Sequence, residues 1–245
     1  MRSARAVFFD LRGTLVDPDT GWRLSDRERV GFVRSLGARE SEQALHDLLR
    51  RAVVDVNKET FSRRHWFDQD RLVLERFALL AGVEADLAAI DAFESWRNRA
   101  FERMLCAYPD AAPTLRALRA RSVPVGCVAD ARADWARRLL ARTGLLALLD
   151  VVVASEESGE VKATGAALRL ACARAALEPT DVIFVGDRLD KDVAMARAAG
   201  AQPVLLDRSG DRPGPGAINS LTEVLAWNVE PRRESLRWST STTSS

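Results

Sequence analysis

The hydrophobic residues of this chain follow two different periods in two different parts of the sequence. The run "AVFFD" (6–10) is short, apolar and followed by a turn signal, which is typical of a buried parallel strand. In other segments the apolar residues recur at intervals of three and four, as one face of an amphipathic helix requires. The distribution of the two periods therefore predicts how the chain is divided.

From about residue 24 to residue 106 the helical period continues without a strand-like run. Four segments carry it: "LSDRERVGFVRSLG" (24–37), "SEQALHDLLRRAVVDV" (41–56), "DRLVLERFALLAG" (70–82) and "DLAAIDAFESWRNRAFERML" (86–105). Ser25 and Glu28 fit a capping box at the start of the first helix, and Gly37 and Gly82 fit helix ends. This part of the chain predicts an all-helical module.

After residue 106 strands and helices alternate. The predicted strands are "VPVGCVAD" (123–130), "LDVVVAS" (149–155), "DVIFVGD" (181–187) and "QPVLLD" (202–207), and a final short helix is expected at "LTEVLAW" (221–227). Strict alternation indicates right-handed crossovers and an α/β fold, with a parallel sheet covered by helices on both faces. The first strand belongs to this sheet, so the helical module is an insertion.

The predicted organisation has three parts. Residues 1–17 and 107–229 form the α/β core domain, and residues 18–106 form a helical cap domain inserted after the first strand. Residues 230–245 are polar and rich in serine and threonine without a core-facing pattern, which predicts a disordered C-terminal tail.

Composition narrows the class of partner. The chain has 36 basic and 35 acidic residues, so its net charge of +1 gives no field that favours nucleic acid. No segment has the length and apolarity of a secretory signal or a membrane span. Cys106, Cys127 and Cys172 are scattered, which favours reduced core cysteines. We therefore expect a soluble cytoplasmic protein that binds neither nucleic acid nor membrane; the sequence leaves the oligomeric state open.

Candidate chemistry lies at the carboxyl ends of the predicted strands, where parallel sheets bind their ligands. Asp10 and Asp187 follow two of these strands directly. If the strands are neighbours, the two carboxylates converge and repel each other unless a cation joins them. Oxygen ligands of this kind suit Mg²⁺. Lys162 precedes a helix, where its ammonium could pair with a nucleophile and hold an anionic substrate.

These residues resemble the motifs of the haloacid dehalogenase-like hydrolase superfamily, with a helical cap inserted after the first strand. The first motif, DxDGT, is matched by "DLRGT" (10–14), and the position of the second-motif hydroxyl falls on Ala129. The third-motif lysine is matched by Lys162, and the acids of GDxxxxD by Asp187 and Asp192. The resemblance extends to about residue 207 and implies a Rossmann-like core.

The resemblance also implies a mechanism. Asp10 would attack phosphorus to form an aspartyl-phosphate, assisted by Lys162. Mg²⁺ would be bound by Asp10, the backbone carbonyl of Arg12 and Asp187, with Asp192 behind these ligands or capping the following helix. Substrate-binding positions would be Gly13, Thr14, Ala129 and Asp130, together with Trp22 as a cap residue that closes on the substrate. The expected substrate is a small phosphorylated or other anionic metabolite.

Two positions depart from the family pattern. Arg12 stands where phosphatases of the family have a second carboxylate, and an arginine cannot act as a general acid or base. That assistance is typically worth ~10²–10⁴-fold in rate. Ala129 lacks the hydroxyl that would bind the phosphoryl group. An inward-pointing Arg12 would instead favour the binding of an anion.

Three hypotheses remain open at this point. The first is a Mg²⁺-dependent phosphatase-type hydrolase with weak or unusual activity. The second is a catalytically impaired protein with a ligand-binding or regulatory role, in which Arg12 pairs with Asp187, Asp192 or Glu156 and closes the metal site. The third is a metal-independent hydrolase of the dehalogenase type.

Overall fold

A computed structural model of the chain describes residues 4–60, 66–211 and 216–230, without the side chains of residues 19–25, 60 and 66–68. The side chain of Trp22 therefore lies outside the described residues. All but residue 230 of the predicted tail lies outside them too.

The described residues contain seven strands and nine α-helices. The strands are β1 (Ala6–Phe9), β2 (Val16–Asp17), β3 (Cys106–Ala107), β4 (Val125–Ala129), β5 (Val151–Ala154), β6 (Val182–Gly186) and β7 (Gln202–Leu205). The helices are α1 (Asp19–Ser35), α2 (Glu42–Thr60), α3 (Trp66–Leu80), α4 (Leu87–Met104), α5 (Ala111–Ala120), α6 (Ala133–Arg142), α7 (Ser155–Ser158), α8 (Ala166–Arg174) and α9 (Ala194–Ala199).

The central sheet is parallel and has the strand order β5-β4-β1-β6-β7 in the described part of the chain. Successive side chains of a strand point to opposite faces. Val7 and Phe9 accordingly join the core beneath α5 and α6, whereas Ala6 and Phe8 join the core beneath α8 and α9. Both faces of the sheet are thus covered by helices, which confirms the predicted α/β fold.

Helices α1 to α4 follow one another between β2 and β3 and bury their own apolar cluster. The prediction of helices in this region is confirmed, whereas the division into domains stays a prediction. Gly37 and Gly82 have φ of +107° and +67° just beyond helices α1 and α3, as predicted for helix ends. The predicted capping box is wrong, because α1 begins at Asp19 and residue 25 lies inside it.

Four buried charged residues join helices α1, α3 and α4, and we call them the cap ionic cluster: Arg29, Asp70, Glu94 and Arg97. Arg29 donates to Asp70 at 2.8 Å and to Glu94 at 3.0 Å, and Arg97 lies 2.9 Å from Asp70. Each charge is therefore balanced inside the cluster. Removing one partner would leave a buried charge uncompensated.

The two chain segments that connect the sheet to helices α1–α4 are paired with each other. Strands β2 and β3 are antiparallel, with Val16 opposite Ala107 and Asp17 opposite Cys106. The Tyr108 N–H then donates to the carbonyl of Leu15 at 3.0 Å. The chain thus leaves and re-enters the core at one place, a few residues after Asp10.

Three other expectations have mixed outcomes. The three thiols are free; Cys127 and Cys172 are buried as expected, but Cys106 is exposed on the short strand β3. The expected last helix is a 3-10 helix at Leu221–Ala226. In the part of the chain that the structure describes, every helix is too short or too polar to cross a membrane.

Candidate active site

The carboxylates of Asp10 and Asp187 meet at the carboxyl end of the sheet. Their strands are neighbours, with Phe9 of β1 opposite Val185 of β6, and the Asp10 N–H extends this ladder by donating to the Val185 carbonyl at 2.9 Å. Oxygen atoms of Asp10, Asp187 and Asp192 all lie within 4.8 Å of one another. The expected convergence of Asp10 and Asp187 is confirmed, and Asp192 joins them.

Two glycines give these acids the space that they occupy. A Cβ atom on Gly13 would lie 2.5 Å from Oδ2 of Asp187, and the φ of +84° at Gly13 is itself unfavourable for other residues. A Cβ atom on Gly186 would lie 2.4 Å from the Asp192 side chain. Gly13 and Gly186 are therefore required because the carboxylates pack against their backbones.

The ammonium of Lys162 joins two of the three acids. It contacts Oδ1 of Asp10 and lies 2.6 Å from Oδ1 of Asp192, and its side chain is only 2% exposed. Asp192 also accepts the N–H of Arg188 through Oδ2 at 2.9 Å, at the start of a π-helical turn, Leu189–Val193. Asp192 thus holds Lys162 and the backbone at the start of this turn, whereas α9, the helix that follows, has no side-chain cap. Its place behind the metal ligands stays a prediction.

Burial and the closeness of the three acids shift the pKa values at this site. Burial, and then the charge of Asp192, raises the pKa of Asp10 to about 7 although Lys162 opposes the shift. Burial and Asp192 likewise raise the pKa of Asp187 to about 6. Burial opposes the charge of Lys162, but Asp10 and Asp192 outweigh it and hold the Lys162 pKa well above its usual range. A further cation would stabilise the ionised acids.

These acids open into a cavity of about 140 Å³, which we call the reaction cavity. Ala129 and Asp130, at the end of β4, line it as predicted. Gly13 and Thr14 are not among its lining residues in the described part of the chain. Thr14 is fully buried, and its carbonyl accepts a hydrogen bond from Arg208 at 2.8 Å. Gly13 and Thr14 therefore shape the turn after Asp10 from behind the cavity.

Asp130 is held from two sides in the reaction cavity. Its Oδ1 accepts the hydroxyl of Ser155 at 3.0 Å, and its Oδ2 accepts the ammonium of Lys191 at 2.8 Å. Ser155 is fully buried at the end of β5, whereas Lys191 is partly exposed and lines the cavity. Asp130 thus fixes a lysine near the position where Ala129 lacks a hydroxyl.

Arg12 lines the reaction cavity, with acids of α3 and of the sheet edge in its surroundings. Burial lowers the pKa of its guanidinium, and Asp70 opposes this shift more strongly than Asp130, Asp10 or Asp187 does. Asp70 belongs to the cap ionic cluster. Arg12 therefore lies in the field of acids from α3 as well as from the edge of the sheet, and Asp187, one of the partners named in the hypothesis of a closed metal site, is among them.

A second, wider cleft of about 700 Å³ lies between α3 and α4 of the cap and α6 of the core. Trp135 on α6 lines both this cleft and the reaction cavity. Most of the other residues that line the wider cleft are charged: Asp70, Arg71, Glu75, Asp91, Glu94, Arg99, Glu102, Arg132, Asp134 and Arg138. Trp135 therefore lies between the reaction cavity and a largely charged cleft.

The sequence interpretation did not single out Trp135, Arg188 or Lys191, all of which line the reaction cavity. Trp135 has no signal in the sequence, because it occupies an ordinary apolar position of a helix. Lys191 does have one: it lies inside "GDRLDKD", and the chain has only three lysines, at positions 58, 162 and 191.

Comparison with known proteins decides the family. The profile of the haloacid dehalogenase-like hydrolases matches residues 4–200, which include every residue of the reaction cavity. The chain belongs to the haloacid dehalogenase-like hydrolase family.

Two curated relatives in this family are phosphatases of small metabolites. A glyceraldehyde 3-phosphate phosphatase of Methanopyrus kandleri is 33% identical over 207 residues, which are 83% of this chain and 84% of the relative. A plasmid-encoded phosphoglycolate phosphatase of Cupriavidus necator is 32% identical over 218 residues, which are 88% of this chain and 85% of the relative.

A solved structure shows the same overall fold. The phosphatase of this family from Thermococcus onnurineus superposes with a TM-score of 0.68 at 25% sequence identity. The match covers 90% of this chain and 95% of that protein, so it includes the helices between β2 and β3 as well as the sheet.

Proposed function

We propose that this protein is a Mg²⁺-dependent phosphatase of a small phosphorylated metabolite and that it works through an aspartyl-phosphate on Asp10. The observation that carries the proposal is the cluster of Asp10, Asp187 and Asp192 within 4.8 Å, with Lys162 in contact with the first and the last. A nucleophile, a metal site and a cation for the substrate are thus available in one small cavity.

The donor set fits magnesium. The clustered side-chain donors are carboxylate oxygens, which Mg²⁺ prefers, and burial has raised the pKa of Asp10 to about 7 and that of Asp187 to about 6. Asp10, Asp187 and the backbone carbonyl of Arg12 would hold the ion, and any side chain at position 12 leaves that carbonyl available. When bound, the ion supplies positive charge between the nucleophile and the phosphate.

The proposed reaction has two steps, and both take place at Asp10. A carboxylate oxygen of Asp10 forms a bond to phosphorus, and the bond between phosphorus and the leaving oxygen breaks; that oxygen keeps the electron pair and takes a proton from water. A second water then cleaves the aspartyl-phosphate, releasing phosphate and restoring Asp10. Lys162 fixes Asp10 through Oδ1 throughout. This covalent route divides one difficult displacement into two easier ones.

Arg12 lowers the expected rate of phosphate-ester hydrolysis. Without a carboxylic acid at this position, the leaving oxygen is not protonated by the usual group, which corresponds to a loss of ~10²–10⁴-fold in many enzymes. We therefore propose a slow phosphatase, or one whose substrate has a leaving oxygen that needs little acid assistance.

The reaction cavity and the relatives support a small phosphorylated substrate. The cavity of about 140 Å³ has room for a phosphoryl group beside Asp10. The names of the two curated relatives suggest 2-phosphoglycolate and glyceraldehyde 3-phosphate as the first compounds to test.

The test is phosphate release from a panel of phosphometabolites that includes these two, with Mg²⁺ and with EDTA. We expect release that requires Mg²⁺ and that Asp10→Asn abolishes. Asp47→Asn, which removes an exposed carboxylate on α2, is the matched control and should keep full activity. Activity that persists in Asp10→Asn would reject the aspartyl-phosphate route.

A non-catalytic, ligand-binding role is the second candidate, because Arg12 and Ala129 both depart from the pattern of the active phosphatases of the family. Saturable Mg²⁺-dependent binding of phosphate by the wild-type protein, with no turnover across the panel, would favour that role. Halide release from 2-chloropropionate in EDTA would instead favour a hydrolase of the dehalogenase type.

A further inference from the structure

Lysine is rare in this chain, and its distribution is uneven. Of the 36 basic residues only three are lysines, so arginine occupies nearly every position that needs a positive charge. Lys58 is exposed on α2, whereas Lys162 and Lys191 both line the reaction cavity. An ammonium is a compact point charge, and a guanidinium is a wide planar fork. The reaction cavity thus contains two of the three compact ammonium groups of the chain.

Lys162 has its partners in Asp10 and Asp192, but the local contacts of Lys191 do not account for its position in the cavity. Its single ionic partner among the described residues is Asp130, at 2.8 Å. The Ser155 hydroxyl donates to the other oxygen of Asp130, so this carboxylate has a second contact besides Lys191. An ammonium has three N–H donors, and only one of them is used by Asp130.

Lys191 lies near the end of β4, where the cavity lacks a hydrogen-bond donor for a phosphoryl oxygen. Ala129 ends β4 next to β1 and has no hydroxyl to offer a phosphoryl oxygen, and the adjacent Asp130 is an acceptor. Lys191 enters the same cavity from the turn after β6 and is attached to the residue that follows Ala129. It therefore brings donors to the strand end from which a donor is missing.

We propose that Lys191, positioned by Asp130 and Ser155, binds the oxygens of the transferring phosphoryl group in place of the hydroxyl absent at position 129. This inference rests on the proposed phosphatase function and adds a phosphate-binding residue to it. Lys191 contacts the group through its two remaining donors, while Lys162 holds the nucleophile.

Binding of inorganic phosphate tests this role without turnover. Calorimetric titration of the folded protein with phosphate in Mg²⁺ should show that Lys191→Met lowers the affinity at least roughly tenfold, the smallest loss expected when charge-assisted hydrogen bonds are removed. Lys58→Met, which removes the exposed lysine, should bind as the wild type does. Lys191→Gln, which retains a donor toward Asp130, is the second variant if Lys191→Met does not fold, and it should show the same loss.

A second substitution distinguishes phosphate binding by Lys191 from a merely structural ion pair between Lys191 and Asp130. Ala129→Ser should raise phosphate affinity several-fold in the Lys191→Met background and much less in the wild type, because the hydroxyl then supplies the missing donor. Unchanged phosphate affinity in folded Lys191→Met or Lys191→Gln would overturn the proposal, as would an equal effect of Ala129→Ser in both backgrounds.

Turnover is measured separately so that the two proposals fail independently. In one outcome, Lys191→Met weakens phosphate binding while neither the wild type nor any variant hydrolyses a substrate of the panel. That result rejects the phosphatase function and retains Lys191 as a phosphate ligand. If Lys191→Met binds phosphate normally and Asp10-dependent turnover persists, Lys191 is rejected and the phosphatase is retained. A wild type that binds no phosphate in Mg²⁺ overturns the role of Lys191.

Discussion

The guanidinium carbon of Arg12 lies 5.9 Å from the centre of the Trp135 ring. A cation at this distance from an aromatic face is attracted by the ring electrons. Asp70 on α3 and Asp130, Asp10 and Asp187 at the edge of the sheet all act to raise the pKa of Arg12. Arg12 thus lies against a ring of α6 and among acids from both sides, two residues from the proposed nucleophile.

Replacing Arg12 by an acid should increase phosphatase activity. Arg12→Asp supplies the missing proton donor and acceptor, so we expect the kcat in Mg²⁺ to rise by ~10²-fold, the lower end of the usual effect. Arg12→Asn is the control, because it removes the same positive charge without supplying an acid. An equal rise in both variants would show that Arg12 inhibits through its charge or bulk.

The glycine in the turn after Asp10 should be far more sensitive than a glycine with similar backbone geometry elsewhere. Gly13→Ala and Gly37→Ala both place a side chain at positive φ, at a cost of ~1–2 kcal/mol. Only at Gly13 does the new Cβ meet Asp187, whereas nothing lies within 4 Å at Gly37. Chemical denaturation should show a larger loss for Gly13→Ala, and calorimetry a loss of Mg²⁺ binding in that variant alone. Equal losses would contradict the packing argument.

The buried Lys162 should be necessary for stability when no metal ion is bound. Lys162→Met leaves Asp10 and Asp192 without their shared cation, and breaking such a buried pair costs ~3–5 kcal/mol. Urea denaturation in EDTA measures this loss, and added Mg²⁺ should recover part of it by supplying positive charge. Lys58→Met should have no effect under either condition. A Lys162→Met protein as stable as the wild type in EDTA would show that the acids are neutral there.

Acid should weaken the cap ionic cluster through Asp70. Burial opposes the charge of Asp70, but Arg29 and Arg97 outweigh it and lower its pKa below the usual 3.8. A lowered folded-state pKa means that the contribution of Asp70 is complete above pH ~4 and is lost as pH falls below that value. The free energy of unfolding of Asp70→Asn should therefore fall less steeply with acid than that of the wild type. Parallel curves for the two proteins would exclude Asp70 as the source.

The sequence predicted the sheet and the meeting of Asp10 with Asp187 because both follow from local patterns. A short apolar run identifies a parallel strand by itself, and the carboxyl ends of neighbouring parallel strands always share one edge. Asp192 could be named because the GDxxxxD motif records its spacing from Asp187, and Lys162 because the family motifs follow a fixed order along the chain. These residues needed no knowledge of how the helices pack.

The parts that the sequence did not predict depend on packing between distant segments. The attraction between Arg12 and Asp70 joins residues from the core and the cap, and no spacing along the chain indicates it. The early start of α1 was missed because "DTGWR" (19–23) lacks an apolar period; Pro18, which cannot donate a backbone hydrogen bond, is compatible with the residue before a helix. Lys191 was overlooked because its meaning depends on the scarcity of lysine in the whole chain.

The pairing of Val16 with Ala107 also bears on how such a long insertion is compatible with a stable sheet. The entropy lost when a flexible loop closes grows only with the logarithm of its length, so most of the loss is incurred by bringing the two ends together. Here β2 and β3 hold the ends as an antiparallel pair, the geometry of a hairpin. Helices α1–α4 thus occupy the position of a hairpin loop, and their length could change during evolution with little effect on the strands beneath them.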